Sequence, residues 1–386
     1  MPLKETALRL SARALLATEN ALRSRTEASP SSVLILEYLL PLGCCVHLTP
    51  VYEAIKSAKP SVEITVATRG LGLSLLRHNP FIDHLIETPD PLTSTVHAAK
   101  ALRSELERRR IKPECILTGA SDKRSRIALM ALLTSHAWRG GFTLHPEMYQ
   151  RSLVYEKNRS LIDNNLRLAS LVGGSPDHRE PRVFFSPSDA AAATELVMEV
   201  NPNGIPLVLF VTQNSGGQST GWHVERFAEV IRHADEVLGC AVGYVGTVAD
   251  REPIEKIREQ AGGIGISLAG RTSVTQLAAL LALSDAVVSL DTGTMHVGRA
   301  VGVPMAVIGP SWQRPIEWLP LGIPQTRILR GSDREDVPPG YQLDEVQAGD
   351  VIAALDSLLA AYPPSAASRQ QRLQAGTSTV DHTAKS

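Results

Sequence analysis

Short apolar runs alternate with longer amphipathic stretches along nearly the whole chain, and this rhythm decides the fold class. The runs VLILEY at 33–38, EITVAT at 63–68, HLIET at 84–88, ECILT at 114–118 and the segment 137–142 read as strands. The stretches 43–58, 95–110 and 121–134 between them read as helices. Parallel strands need a crossover, usually a helix, so the pattern is that of βαβ units. Pro50 falls inside the first helical stretch and predicts a kink there or a late helix start. The segment 173–189, GGSPDHREPRVFFSPSD, holds three prolines and two adjacent glycines and reads as a linker. Beyond it the rhythm resumes with strands at 207–212, 240–246, 264–268, 286–290 and 304–309. Near-continuous apolar runs suit parallel strands covered on both faces. Two doubly wound sheets are expected, in residues 33–180 and 190–362, with a helical extension at 1–32 and a disordered tail at 363–386.

Size and composition agree and remove several function classes. A chain of 386 residues exceeds the ~250–300 that one hydrophobic core usually serves. A net charge of −1 and 4% aromatic residues offer no general attraction to nucleic acid and few rings for stacking on bases. Cys44, Cys45, Cys115 and Cys240 have no CxxC spacing, so they read as reduced thiols and not as a zinc site. No window reaches the ~18–20 apolar residues of a membrane span. The apolar stretch near the N-terminus is interrupted by Arg13 and closed by Glu19, unlike a secretory signal. A cytoplasmic protein is expected. Leu3, Leu8, Leu15 and Leu22 make the first segment a basic amphipathic helix that packs on the body or lies on a membrane surface.

In an open α/β sheet, ligands sit beyond the carboxyl ends of the strands, so the loops after apolar runs carry the information. The sharpest is Ser289-Leu290-Asp291-Thr292-Gly293-Thr294-Met295-His296. It leaves a strand and enters a helix of small residues. Gly293 clears space for a ligand at the backbone, the helix N-terminus favours phosphate, and Thr292, Thr294 and His296 can add hydrogen bonds. The same residues also suit a plain capped turn. The loop Thr212 to Gly221, TQNSGGQSTG, is either a second phosphate cradle or a flexible turn; without Gly-Lys-Thr it is no Walker loop.

The segment 266–322 resembles the heptosyltransferase family, glycosyltransferase family 9. The pattern L-x-G-x-T-S, helix, strand, D-[ST]-G-x-x-H, small-residue helix, G-x-P and a strand ending G-P is present here. It is carried by Leu268, Gly270, Thr272, Ser273, Asp291, Thr292, Gly293, His296, Gly302, Pro304, Gly309 and Pro310. Strand 207–212, the loop after it, Trp222 and Arg226-Phe227-Ala228 resemble the family's first C-terminal unit, and Asn165 to Leu168 with Leu171 and Gly173 its interdomain helix. The resemblance implies an α/β protein of GT-B type, two Rossmann-like domains facing a cleft, with the donor on the C-terminal one. It implies inverting, metal-independent and cofactor-free transfer of a heptose or similar sugar from a nucleotide-diphospho-sugar, most simply an ADP-sugar. The acceptor would be a saccharide or glycolipid, at the inner face of the membrane. Thr212, Gln213, Asn214, Ser215, Asp291, Thr292, Gly293 and His296 would then hold the donor. Asp250 is either a partner of the ribose hydroxyls or a charge at a helix N-terminus.

The chain departs from the family pattern at two points. The family's L-G-D reads Leu42-Gly43-Cys44 here, and Thr220 stands where a lysine commonly precedes Trp222. A thiol near its ordinary pKa of ~8.5 is a poor base at neutral pH. Glu37, at the end of an apolar strand, and His47 are the replacement candidates for the acceptor base. Lys123, Arg124 and Arg126 follow strand 114–118 on the rim where an anionic acceptor would bind. The rival expectation is a degenerate relative that binds nucleotide sugar without turnover.

Overall fold

The computed structural model describes residues 30–39, 41–214, 221–335 and 341–383. The amphipathic segment 1–29, Ser215 and Thr220 lie outside the described residues. The chain divides into two compact units, Met1–Pro181 with Asp381–Ser386, and Arg182–Val380.

The first unit contains strands β1 (Ser32–Leu36), β2 (Glu63–Thr68), β3 (His84–Glu87), β4 (Cys115–Thr118), β5 (Trp138–Phe142) and β6 (Arg151–Leu153). Its helices are α1 (Leu42–Ala58), α2 (Gly70–Leu76), α3 (Thr95–Arg108), α4 (Ser125–Thr134) and α5 (Leu161–Ser170). The strands form one six-stranded parallel sheet in the order β3-β2-β1-β4-β5-β6. The second unit repeats this with β7 (Leu207–Val211), β8 (Ala241–Tyr244), β9 (Ile266–Ser267), β10 (Ala286–Leu290), β11 (Met305–Ile308) and β12 (Thr326–Leu329), in the order β12-β11-β10-β7-β8-β9. Its helices are α6 (Pro187–Val200), α7 (Val224–Arg232), α8 (Arg251–Gln260), α9 (Val274–Leu283), α10 (Gly293–Val301), α11 (Pro315–Trp318), α12 (Ala348–Ala361) and α13 (Ala366–Gly376). Both are doubly wound. The strand order reverses between β1 and β4 in one sheet and between β7 and β10 in the other, and such switch points are where open α/β sheets bind ligands.

Two local readings need correction. Of the two alternatives at Pro50 the late start is excluded, because the first helix starts at Leu42 and runs through the proline to Ala58. Proline cannot bond the carbonyl of Val46 one turn back, and the Thr49 hydroxyl takes that carbonyl instead at 2.9 Å. The tail expected to be disordered forms α13, and its contacts explain why. Arg369 pairs with the buried carboxylate of Asp285 at 3.1 Å, while Arg372 donates to the carbonyls of Ala282 and Ser284. The ring of Phe185 packs where a Cβ on Gly376 would sit, 2.4 Å away, so only glycine allows the backbone bridge between Phe185 and Thr377. The polar composition that suggested disorder is the anchoring chemistry of the helix. After it, Asp381 makes a two-point pair with Arg77, at 3.1 and 3.0 Å, and this holds its carboxyl well below the usual range.

Removing the guanidinium in Arg369→Ala leaves Asp285 with only the Leu207 amide as partner for that oxygen. A loss of about 1.5–3 kcal/mol is expected, read as a lower urea midpoint with an unchanged slope. An unshifted midpoint would show that the tail docks without this pair.

Candidate functional site

The second switch point is built from loops that leave neighbouring strands in register. Ser289 pairs with Val211, so the chain emerges from β10 at Asp291 beside its exit from β7 at Thr212. Both strands are fully buried, which fixes where the loops start. Thr292 has extended backbone and caps α10, its hydroxyl accepting from the Met295 amide at 3.4 Å. Helix geometry leaves the amides of Gly293 and Thr294 without a carbonyl one turn back, so they are available to an anion at the positive end of the helix. Gly298 keeps this helix close to the sheet: a Cβ there would meet the Met305 sulfur at 2.6 Å.

His296 sits one turn into α10 and is 4% exposed, with Nε2 3.8 Å from Asp291 Oδ1. Burial, reinforced by the Arg299 charge, pushes its pKa down to about 3, so it is neutral at physiological pH and can offer a ligand only an uncharged hydrogen bond. Burial pushes Asp291 up to about 6, and it is ionised at neutral pH at a cost. From the other strand, Thr212 is buried and its hydroxyl accepts from the Gln213 amide group at 3.3 Å, with Asn214 next in the loop. The candidates Thr212, Gln213, Asn214, Asp291, Thr292, Gly293 and His296 therefore share the carboxyl edge of one sheet. Asp250 stands at the head of α8 without a side-chain bond to it and closes the preceding turn Val248–Asp250. One of its carboxylate oxygens accepts from the Thr247 amide at 2.6 Å and hydroxyl at 2.8 Å. Trp222 lies just ahead of α7 and donates from its indole to the Val346 carbonyl at 2.9 Å.

In the first unit, Leu36 pairs with Thr118, so Glu37 leaves β1 level with Gly119. Glu37 is 3% exposed and accepts from the hydroxyl of the fully buried Tyr52 on α1. Burial outweighs that bond and raises its carboxyl to about 8, so it is largely protonated at pH 7. Cys44 is buried beside Ser121, to which its thiol bonds, and burial with the Asp122 and Glu37 charges raises it to about 11, which keeps it a thiol. His47 is 1% exposed, on the inner side of α1.

Asp122 escaped the sequence reading. It is 3% exposed, accepts from the amides of Tyr38 and Leu39 at 2.6 and 3.1 Å, and pairs with Arg124 at 2.5 Å. It ties the β1–α1 loop to the β4–α4 loop and orients Arg124. Of the other rim cations, Lys123 lies over the Tyr155 ring at 4.9 Å and Arg126 is exposed.

The model of glycosyltransferase family 9 (heptosyltransferase) matches residues 125–333, more than half of the chain. The chain belongs to that family. It is a glycosyltransferase with the GT-B fold. It is similar to lipopolysaccharide heptosyltransferase 3 of Escherichia coli, 22% identical over 343 residues that cover 81% of this chain and 94% of that protein. Among solved structures, a family 9 glycosyltransferase of Veillonella parvula superposes with a TM-score of 0.77 at 19% identity, covering 88% of this chain and all of that one. An E. coli heptosyltransferase solved with ADP-2-deoxy-2-fluoro heptose gives 0.62 at 17% identity, covering 84% of this chain and 99% of that one.

The raised pKa of Asp291 makes a signed stability prediction. Its folded pKa of about 6 exceeds the ordinary 3.8, so the buried charge weakens the fold progressively as pH rises from about 4 through 6. Asp291→Asn removes that cost. It should stabilise the protein by up to about 3 kcal/mol at pH 7.5 and by little at pH 4, measured by urea unfolding at both values. A variant less stable than the parent at pH 7.5 contradicts this.

Proposed function

We propose that this transferase moves a heptose or similar sugar, with inversion and without a metal, from a nucleotide-diphospho-sugar to a saccharide or glycolipid acceptor. The observation that carries the reading is the Asp291–His296 turn at the β7/β10 switch point. There, the Gly293 and Thr294 amides, which helix geometry leaves without a carbonyl one turn back, and the neutral His296 one turn on would meet a diphosphate at the head of the helix. Backbone amides and a helix terminus stabilise the charge that develops on a departing diphosphate, the task a cation performs elsewhere. The relative solved with an ADP-sugar analogue supports ADP as the nucleotide. The donor residues of this reading are Thr212, Gln213, Asn214 and Ser215 with Asp291, Thr292, Gly293 and His296. Asp250 already holds Thr247 through one oxygen and stands as a ribose partner only through the other. Lys123, Arg124 and Arg126 make an anionic acceptor the better fit, and a lipopolysaccharide acceptor would place the work at the inner face of the membrane.

A second reading has one observation in its favour. The family's aspartate is here the thiol of Cys44, raised to about 11 and unable to take a proton, as in a relative that binds nucleotide sugar without transfer. Turnover with ADP-heptose separates the two.

Because His296 is neutral, His296→Ala should weaken ADP binding by about three- to tenfold, the worth of one uncharged hydrogen bond. Calorimetric titration measures it, with the melting temperature as a check on folding. Transfer should also persist in excess EDTA. Loss of activity restored by magnesium or manganese would refute the metal-free grip.

A further inference from the structure

Glu37 is shut beneath Tyr52, His47 is 1% exposed on the inner side of α1, and the Cys44 thiol stays protonated, so the proton of the acceptor hydroxyl needs another destination. The first unit carries one outside the residues discussed so far. His145 follows β5, two strands from β1 along the same carboxyl edge. Its Nδ1 lies 3.2 Å from Glu147 Oε1, and its Nε2 lies 2.7 Å from the hydroxyl of Ser125. A carboxylate on Nδ1 fixes that nitrogen as the donor and turns the Nε2 lone pair toward Ser125. Ser125 is exposed at the first turn of α4, which is capped by no side chain, so its hydroxyl is not spent on the helix.

The constellation is held from several sides. The imidazole and the carboxylate are 13% and 9% exposed. The amide of Leu144 bonds to the carbonyl of Lys123 at 2.8 Å, stitching the histidine loop to the loop that carries Ser125. The His145 amide bonds to the Thr143 hydroxyl at 3.0 Å, and the turn Pro146–Met148 is fastened by the fully buried Arg139, which donates to the Met148 carbonyl at 2.7 Å. Lys123, Arg124 and Arg126 flank Ser125 in sequence and give the same loop the positive charge an anionic acceptor needs.

We infer that Ser125, His145 and Glu147 form the proton relay that activates the acceptor hydroxyl, with His145 as the general base. This rests on the glycosyl-transfer reading above. The acceptor oxygen bonds to the anomeric carbon of the donor while the bond from that carbon to the diphosphate breaks and its electron pair leaves with the nucleotide diphosphate. The acceptor proton passes to Ser125 Oγ, whose own proton moves to His145 Nε2. The imidazolium is stabilised by Glu147 and returns its proton to water. Glu147 touches no reacting atom and is a positioning residue.

The test uses the full chain with ADP-heptose and a truncated lipopolysaccharide as acceptor, following ADP release, with ADP affinity and melting temperature measured for every variant. His145→Ala should lower kcat by about a hundredfold or more with ADP affinity unchanged, and free imidazole should restore part of the lost turnover. Glu147→Gln should lower kcat less, without a change in donor KM, and Ser125→Ala least, since a water can take the hydroxyl's place. His145→Ala within fivefold of the parent overturns the relay and leaves the transferase reading standing. The relay is equally overturned by a loss that imidazole does not recover, or by a hundredfold loss confined to Glu37→Gln. A parent chain that binds ADP yet transfers nothing overturns the active reading and the relay together.

Discussion

The parallel pairing of β7 with β10 is the constraint on which the proposed donor site depends. Its register sets Val211 against Ser289, so the loops after both strands start side by side at the point where the strand order reverses. Both strands are buried along their whole length. The close packing of Gly298 on Met305 then fixes the direction of α10 and aims its unbonded amides at the same spot. Neither loop has to be rigid by itself, because the sheet determines where each begins.

The polar groups buried in the Asp291–His296 turn carry an electrostatic cost. Asp291 is ionised in a buried position, and His296 gives up its proton to remain buried. The Asp291 cost falls on the folded protein at neutral pH and the His296 cost in mild acid. The corresponding edge of the first sheet is arranged differently. Its acidic groups point inward: Glu37 accepts from Tyr52 through one oxygen while the other is buried without a hydrogen bond, and Asp122 is held by two amides and Arg124. Where the family pattern places an aspartate, Cys44 leaves that edge without an exposed acid at the head of α1.

Much of this was legible in the sequence because it depends on local pattern. The alternation of apolar runs located the strands of both sheets except the short β6 and the late β12, whose sequences RSL and TRIL lack a distinct apolar run. The strand, turn and helix N-terminus around Gly293 were legible because they are contiguous in the chain. What was not legible depends on partners far apart. Glu37 stood out as a charge ending an apolar strand, but nothing nearby in sequence revealed that Tyr52 would cover it. Ser125 and His145 are separated by 20 residues and meet only because β4 and β5 are adjacent. The tail read as disordered because its arginines looked solvated, whereas Asp285 and the carbonyls of Ala282 and Ser284 bind them.

The central claim, that a nucleotide diphosphate is gripped by the backbone at the β7/β10 switch point, is tested most directly by amide hydrogen exchange of the full chain with and without saturating ADP in a metal-free buffer. The account predicts slower exchange in peptides spanning 291–298 and 207–214, with the first unit's peptides unchanged. Binding of ADP with no protection at 291–298, or with protection confined to the first unit, would contradict it.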